Sequence, residues 1–296
     1  MPEKKQNHLH SESRALTKMI TSMIIFGTIG IFRRSIPLPS EVLAFARGIM
    51  GGVFLLLVLK VKGKKFTWDY MNRKKVLVLI LSGAMIGFNW ILLFEAYKYT
   101  TVAIATLCYY MQPVIVICLA FPILKEKISP RQILCVILSV IGIALICGIF
   151  QGPVTGTSSK GVFLGLAAAG LYAGVVLMNK SLSGIPAFEK TIIQLFSAAA
   201  ALLPYMAIQG TLGSYSLSVP SVICLVTTGI VHTGVAYVLY FSALEYLPAR
   251  TSALLGYIDP VTAVFLSAVW LREPLTVFSV IGAVLIIGSA LYSESE

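Results

Sequence analysis

Charged residues are scarce in this sequence. Aspartate, glutamate, lysine and arginine make up 12% of the 296 residues, whereas hydrophobic residues make up 57%. A soluble domain normally carries about twice that share of charge, and it needs fewer apolar residues to fill one core. This composition excludes an ordinary soluble protein, so the chain is predicted to be integral to a membrane.

Sequence motifs for covalent or metal chemistry are also missing. The five cysteines show no CxxC spacing and no accompanying histidines, which argues against a disulfide framework and against a metal site. There is no Walker-type phosphate loop, GxSxG elbow or HExxH zinc helix in the sequence. No cofactor or metal is therefore expected, and the protein is not expected to be an enzyme.

Long apolar segments are what the sequence does contain. Each is about 20 residues long, enough to cross the membrane as a helix, and none alternates polar and apolar residues as the strands of an outer-membrane barrel do. The sequence thus predicts an all-α membrane protein with ten transmembrane helices. The predicted spans are residues 17–34, 42–60, 75–97, 101–123, 132–150, 161–181, 187–209, 219–243, 250–270 and 275–292.

The distribution of basic residues predicts the orientation. Most of the 23 lysine and arginine residues fall within 4–18, 60–75 and 125–131, or on other segments that share one side of the membrane. By the positive-inside rule, both termini are cytoplasmic and the protein is a multi-pass protein of the plasma membrane. The net charge of +11 follows from these topological anchors, which can contact anionic lipid and give no reason to expect nucleic acid.

The tails and the central linker complete this topology. Residues 1–16 are polar and lack the cleavage site of a secretory signal, so they are expected to form a cytoplasmic tail. Residues 151–160 are expected to form an extracellular linker, and residues 293–296 a short cytoplasmic tail.

An internal repeat relates the two halves of the chain. Residues 94–129 align with 241–276 without a gap. The matched pairs include Phe94 with Phe241, Tyr110 with Tyr257, and Pro113 with Pro260. The predicted repeat units, 17–150 and 161–292, each contain five helices. An odd number of crossings places the second unit in the membrane upside down, so the two units are related by an axis in the membrane plane.

These features resemble those of a known family. The elements "YMQPV" and "YIDPV", the "LKE" and "LRE" that follow them, and the "FARG" early in the second span are similar to motifs of the drug/metabolite transporter superfamily, specifically of the EamA-type ten-helix transporters. The resemblance extends over residues 17–292 and implies transport of a small solute. Similar proteins export amino acids, dyes, drugs and varied metabolites.

The two prolines lie near the middle of their spans. Each removes a helical hydrogen bond, which frees the carbonyl of Tyr109 or of Gly256 and indicates a break that faces protein or an aqueous cavity. Asp259 precedes Pro260, and a carboxylate at mid-membrane is costly unless it is used or neutralised. Asp259 is predicted to be the main charged determinant of substrate binding. Pro113 and Pro260 are predicted hinges, with simple kinks between packed helices as the alternative.

Other polar residues within the spans have two interpretations each. His232 could relay protons or bind the substrate, or it could donate to a neighbouring carbonyl. Asn89 could contact substrate or bond to another helix. Arg47 is interpreted as a structural residue that stabilises a helix end or pairs with Glu41 or Glu95.

Aromatic residues lie unusually deep for an interfacial belt. Together they suggest a cavity with aromatic walls that stack on the solute. The predicted substrate-binding set is Asp259, His232, Asn89, Trp90, Tyr109, Tyr110, Gln112, Tyr172, Tyr237 and Tyr257.

The function that these predictions favour is secondary active transport by alternating access. A small organic solute, such as an amino acid, an amine, a drug-like compound or another metabolite, would be exported, with protons as a coupling ion. A membrane channel and an integral membrane enzyme are the alternatives. A channel would more often be a symmetric oligomer, and an enzyme would need a catalytic cluster near one interface.

Overall fold

A computed structural model describes residues 2–64, 66, 72–124, 129–146, 158–182, 184–244, 246–247 and 249–294, with side chains for all of these except 2–12, 120–124, 249–250, 253–254 and 293–294. In this part of the chain the regular structure is entirely helical. The residues outside it include most of the predicted linker 151–160 and the end of the "LKE" motif.

The described residues form fourteen α-helices and one π-helical segment. In chain order the α-helices are α1 Pro2–Gly27, α2 Ile29–Arg34, α3 Ser40–Val61, α4 Arg73–Tyr99, α5 Val102–Tyr109, α6 Gln112–Leu124, α7 Pro130–Ile146, α8 Ser159–Lys180, α9 Ala187–Gln209, α10 Val219–Gly229, α11 Ala236–Leu244, α12 Ala249–Gly256, α13 Ile258–Val269 and α14 Val277–Glu294. The π-helical segment, Ile230–Val235, joins α10 to α11.

Most of these helices suit a membrane. Among the described residues, seven helical segments are long and apolar enough to cross one, namely 13–34, 40–61, 73–99, 102–119, 159–180, 187–209 and 219–244. Three shorter apolar helices occur at 130–146, 258–269 and 277–292. The long segments coincide with predicted spans, although α1 already begins at Pro2, within the stretch expected to be a tail.

The local sequence accounts for where several helices begin. The Asn72 side chain accepts a hydrogen bond from the Lys75 amide at the start of α4, and the Thr101 side chain accepts one from the Ile104 amide at the start of α5. Ser218 caps α10 in the same way. Such caps satisfy amide groups that have no partner in the first helical turn.

Both predicted breaks are present in the fold. The fourth span is divided between α5 and α6 by a turn at residues 110–111, and the ninth between α12 and α13 at Tyr257. Pro113 and Pro260 each lie in the first turn of the second segment, where a proline needs no amide donor. The prolines therefore end one helix and begin the next.

The helices pack in a regular set of neighbours. α4 packs on α8 and α9, α1 on α11 and α13, α3 on α9, α5 on α8 and α13, and α7 on α14. Close approach depends on small residues at several of these contacts, as is common between membrane helices. A Cβ atom on Gly142 would lie 2.8 Å from the Gly282 carbonyl oxygen, and one on Gly282 would lie 2.6 Å from the Gly142 carbonyl oxygen.

The α7–α14 contact leads to a stability prediction. Gly282→Ala should lower the melting temperature of the purified protein, because the new methyl group forces two backbones apart at a cost of about 1–3 kcal/mol. Gly288→Ala is the matched control on the same helix, since a Cβ there meets nothing within 4 Å. Thermal unfolding in detergent measures both. Equal melting temperatures for the two variants would contradict the close contact.

Candidate functional site

The two helix breaks meet inside the bundle. The Tyr110 hydroxyl, at the first break, donates to Oδ2 of Asp259 at 2.7 Å, next to the second break. The same hydroxyl lies 3.5 Å from the carbonyl oxygen of Gly256, which Pro260 cannot satisfy. The rings of Tyr110 and Tyr257 are 6.3 Å apart. Tyr110 and Tyr257, which the alignment of the two halves pairs, are thus in contact.

Further tyrosines surround this contact. The ring of Tyr109 lies 6.0 Å from that of Tyr110 and 5.7 Å from that of Tyr172. Tyr237 lies within electrostatic range of Tyr172, and Asp259 within range of both Tyr109 and Tyr172. All five groups are deep in the bundle and yet only half-buried. This half-buried cluster of tyrosines around one carboxylate is the candidate substrate cavity.

Arg47 adds a positive charge to the same region. Its side chain is only 5% exposed. Nε donates to the Thr233 hydroxyl at 2.6 Å, and the guanidinium lies 4.2 Å from the ring centroid of Trp90, a cation–π distance. Its charge acts on Asp259 and on Tyr237. Among the described residues, this region thus holds a cation and a carboxylate that influence each other electrostatically without a direct bond.

The π-helical segment positions two residues against the first half of the chain. Thr233 donates to the Thr228 carbonyl at 3.2 Å while it accepts from Arg47. His232 has Nε2 2.8 Å from the Thr28 hydroxyl and Nδ1 3.3 Å from the Thr227 carbonyl. Short π-helical segments within helices often occur at functional sites, because the extra residue turns side chains toward a partner.

Asn89 has a clear structural contact. Its amide nitrogen donates to the Ala168 carbonyl on α8 at 2.6 Å, and the residue is 1% exposed. His232 is equally enclosed, at 1% exposure, with both ring nitrogens facing protein oxygens. Gln112 begins α6, one residue beyond the first break, and is half-buried.

A recess opens at the end of the bundle where α4 ends. Its volume is about 640 Å³, within the size range of small-molecule pockets, and it is lined by residues 33, 34, 36–39 and 41 and by Phe94, Glu95, Tyr97 and Lys98. Phe94 lies 5.9 Å from Arg47, and Tyr97 is within electrostatic range of it. These two aromatic residues therefore separate the recess from the Arg47 side of the cavity.

An ion pair connects the two halves at the same end. Arg34 Nη2 is 2.7 Å from Glu273 Oε1, and Glu273 Oε2 accepts from the Val102 amide at 2.8 Å. The hydroxyl of Ser267 also donates to Glu273. A carboxylate at the start of α5 is favoured by the helix dipole, so this contact holds α5 against the loop that follows α13.

Comparison with known proteins identifies the family. The model of the EamA-like transporter family matches residues 13–148 and 159–293, which is most of the chain. The chain belongs to the EamA-like transporter family. It is a multi-pass protein of the plasma membrane and a transporter for a small molecule, and the family is named for transport rather than for catalysis.

Several known proteins are similar to this chain. YxxF of Bacillus subtilis (strain 168), an uncharacterized transporter, is 31% identical over 277 residues that cover 93% of this chain and 88% of YxxF. Protein PecM of Dickeya dadantii (strain 3937) is 24% identical, with 84% of this chain and 80% of PecM covered. A solved crystal structure matches the fold with a TM-score of 0.66 at 18% identity, covering 95% of this chain and 97% of the other.

The structure of this EamA protein brings together part of the predicted site. Asp259 and five aromatic residues of the predicted set lie in or beside the cavity, at positions 90, 109, 110, 172 and 237, and Tyr257 contacts Tyr110. His232 is connected to this region indirectly. The next residue, Thr233, is bonded to Arg47, and the charge of Arg47 acts on His232. Asn89 is 1% exposed and donates to the Ala168 carbonyl on α8, while its Oδ1 has no hydrogen-bond partner among the described residues.

Arg47 and Tyr97 were missing from the predicted site. Arg47 was expected near a helix end, paired with Glu41 or Glu95, whereas among the described residues Glu95 pairs with Lys98 at 2.5 Å and Arg47 contacts Trp90. A signal for this was present in the sequence. Trp90, Phe94 and Tyr97 are spaced by four and three residues, which places them on one face of α4.

Proposed function

We propose that this EamA-family protein is a secondary active transporter that exports a small organic solute by alternating access. The observation that carries the proposal is the contact between Tyr110 and Asp259, which joins the two helix breaks within a half-buried cluster of tyrosines. Transporters of this type bind substrate near the membrane midplane, between repeats, where discontinuous helices supply polar groups. Asp259 is the residue that exchanges a proton for the cationic group of the solute.

The same proposal places ten transmembrane helices in two inverted units of five. Under the repeat, α6–α8 is equivalent to α13–α1, α5–α8 to α12–α1, and α4–α8 to α11–α1, and both members of each pair are in contact. α7–α14 joins two equivalent elements to each other across the axis. This pattern supports an axis in the membrane plane, as do the two family matches of nearly equal length.

Alternating access then requires each end of the cavity to open in turn. With both termini cytoplasmic, the recess near Lys98 faces the outside, and the Arg34–Glu273 ion pair holds that end of α5 in place. Hinge motion at the two breaks would tilt α5 and α12 against α6 and α13. Such a motion exposes the cavity to one side while it closes the other.

The transport proposal is tested by flux into proteoliposomes. Radiolabelled amino acids, amines and dyes are offered with and without an imposed pH gradient. A carrier gives uptake that saturates with solute concentration and that accelerates when unlabelled solute is present on the opposite side. A flux that rises linearly and shows no such acceleration would indicate a channel and would overturn the proposal.

The orientation gives a separate prediction. Single cysteines at Ser158 and Ser214, in a background without the five native cysteines, should react with an impermeant thiol reagent on intact cells, because both residues are exposed on the proposed outer side. A cysteine at Lys64, which is also exposed, should react only after the membrane is opened. Labelling of Lys64→Cys alone on intact cells would reverse the topology.

A further inference from the structure

Two arginines are buried to almost the same extent in this protein. Arg33 is 6% exposed and Arg47 is 5% exposed. Arg33 uses its terminal nitrogens within the α2–α3 connection: Nη1 donates to the Ile36 carbonyl at 2.7 Å, and Nη2 lies 3.2 Å from the Leu38 carbonyl and from the Ser40 hydroxyl. This arginine is committed to holding a loop.

Arg47 is bonded differently. Nε donates to Thr233, and the guanidinium face covers Trp90. Within the described part of the chain, Nη1 and Nη2 make no hydrogen bond, and neither is among the fully enclosed polar atoms that lack a partner. Both nitrogens therefore keep some accessible area, although the residue as a whole is only 5% exposed. A buried charge costs several kcal/mol unless it is paired, so this arrangement calls for an anion.

The fixed geometry specifies what kind of anion fits. With Nε held by Thr233 and the plane held by Trp90, the two terminal nitrogens present a rigid fork. A planar fork of N–H donors matches a carboxylate through two parallel hydrogen bonds. The Asp259 carboxylate lies within electrostatic range of Arg47. It would repel an anion with two negative charges more strongly than a carboxylate, which has one.

We propose that Arg47 is the anion-binding residue of the cavity, and that it binds the carboxylate of a zwitterionic solute whose ammonium group binds Asp259. This inference rests on the proposed transport function and narrows its substrate to compounds that carry both groups. Asp259 can accept a hydrogen bond from the ammonium group of the solute. Its Oδ2 is bonded to Tyr110, whereas its Oδ1 makes no hydrogen bond among the described residues. Tyr109 and Tyr237 lie within electrostatic range of Arg47, and Tyr109 also of Asp259, so their rings are available to contact the apolar part of the solute.

The test is a binding comparison with matched compounds. Purified protein in nanodiscs is heated with L-phenylalanine, with 2-phenylethylamine, which lacks the carboxylate, and with 3-phenylpropanoate, which lacks the ammonium group. Equivalent sets are built on leucine and on lysine. A ligand that binds the native state raises the melting temperature, so the concentration dependence of the shift gives an apparent affinity. In at least one set, the amino acid should bind at least tenfold more tightly than its amine.

Variants at the two arginines show which residue is responsible. Arg47→Gln should abolish the preference for the amino acid over the amine, and Arg47→Lys, which keeps a charge without the fork, should retain part of it. Arg33→Gln is the matched control. It should lower the melting temperature of the free protein, because three hydrogen bonds are lost, and leave the preference unchanged.

The outcomes separate this inference from the transport proposal. Three results would overturn the role of Arg47. Amines could bind as tightly as their amino acids, the preference for the amino acid could survive in Arg47→Gln, or no compound with a carboxylate could bind. Transport stands if those amines still exchange across proteoliposomes. A carboxylate-dependent affinity without counterflow supports the role of Arg47 in binding and overturns transport.

Discussion

Replacing Asp259 with asparagine should abolish solute transport driven by a proton gradient, while binding of the solute stays measurable. Asparagine keeps the shape of the side chain and can still accept a hydrogen bond from Tyr110, which lies 2.7 Å from Oδ2. It cannot take up or release a proton. If one carboxylate holds either the proton or the cationic group of the solute, the variant loses the coupling between them and retains the rest of the site.

The measurement compares parent and variant in proteoliposomes with and without a pH gradient. In the parent, solute binding should weaken as pH falls, because protonation neutralises the carboxylate that binds the cationic group. In Asp259→Asn this pH dependence should disappear. The loss of gradient-driven uptake should be about a hundredfold or more, since the driving ion no longer enters the cycle.

Two controls distinguish coupling from stability. Tyr110→Phe removes the hydrogen bond to Asp259 but keeps its ionisation, so gradient-driven uptake should continue. His232→Asn tests the other titratable candidate, whose ring is 1% exposed and bonded to Thr28. Normal gradient-driven transport and unchanged pH dependence in Asp259→Asn would remove this residue from the mechanism. A loss that follows His232→Asn alone would assign coupling to the histidine.

The sequence predicted the elements better than their contacts. Hydrophobic length located the spans, and the effect of proline on the helical hydrogen-bond pattern located the breaks at residues 110–111 and 257. The position of the tyrosines near the middle of their spans also marked them as candidate site residues, because aromatic residues of membrane proteins usually lie at the interface. These are local properties, and each can be obtained from a single segment.

Contacts between residues of different helices could not be predicted in this way. A helical period shows which residues share a face, but not which helix that face meets. Arg47 has acidic residues near it in sequence, and only the packing of α3 against α4 and the π-helical segment places it on Trp90 and Thr233. Asn89 likewise bonds to Ala168, a backbone carbonyl that no sequence pattern marks.

Replacing Pro260 with alanine should slow transport on the order of tenfold while changing the melting temperature little. Alanine supplies an amide that can donate to the Gly256 carbonyl, whose only hydrogen-bond contact among the described residues is the Tyr110 hydroxyl at 3.5 Å. The new bond would join α12 to α13 as one continuous helix and remove the bend. Pro113→Ala should have a smaller effect, because its helix break carries no carboxylate.

Pro204→Ala is the matched control, since Pro204 lies inside α9, on its exposed surface and away from the cavity. Pro260→Ala, Pro113→Ala and Pro204→Ala all replace a proline with alanine. Only the first two can restore a helical hydrogen bond at one of the two helix breaks. Initial rates of uptake and counterflow are measured for each, together with thermal unfolding. If Pro260→Ala and Pro113→Ala both transport at the parent rate, the breaks serve only to shape the cavity. If Pro204→Ala slows transport equally, the effect comes from general helix stiffening, and the alternating-access cycle does not depend on bending at the paired breaks.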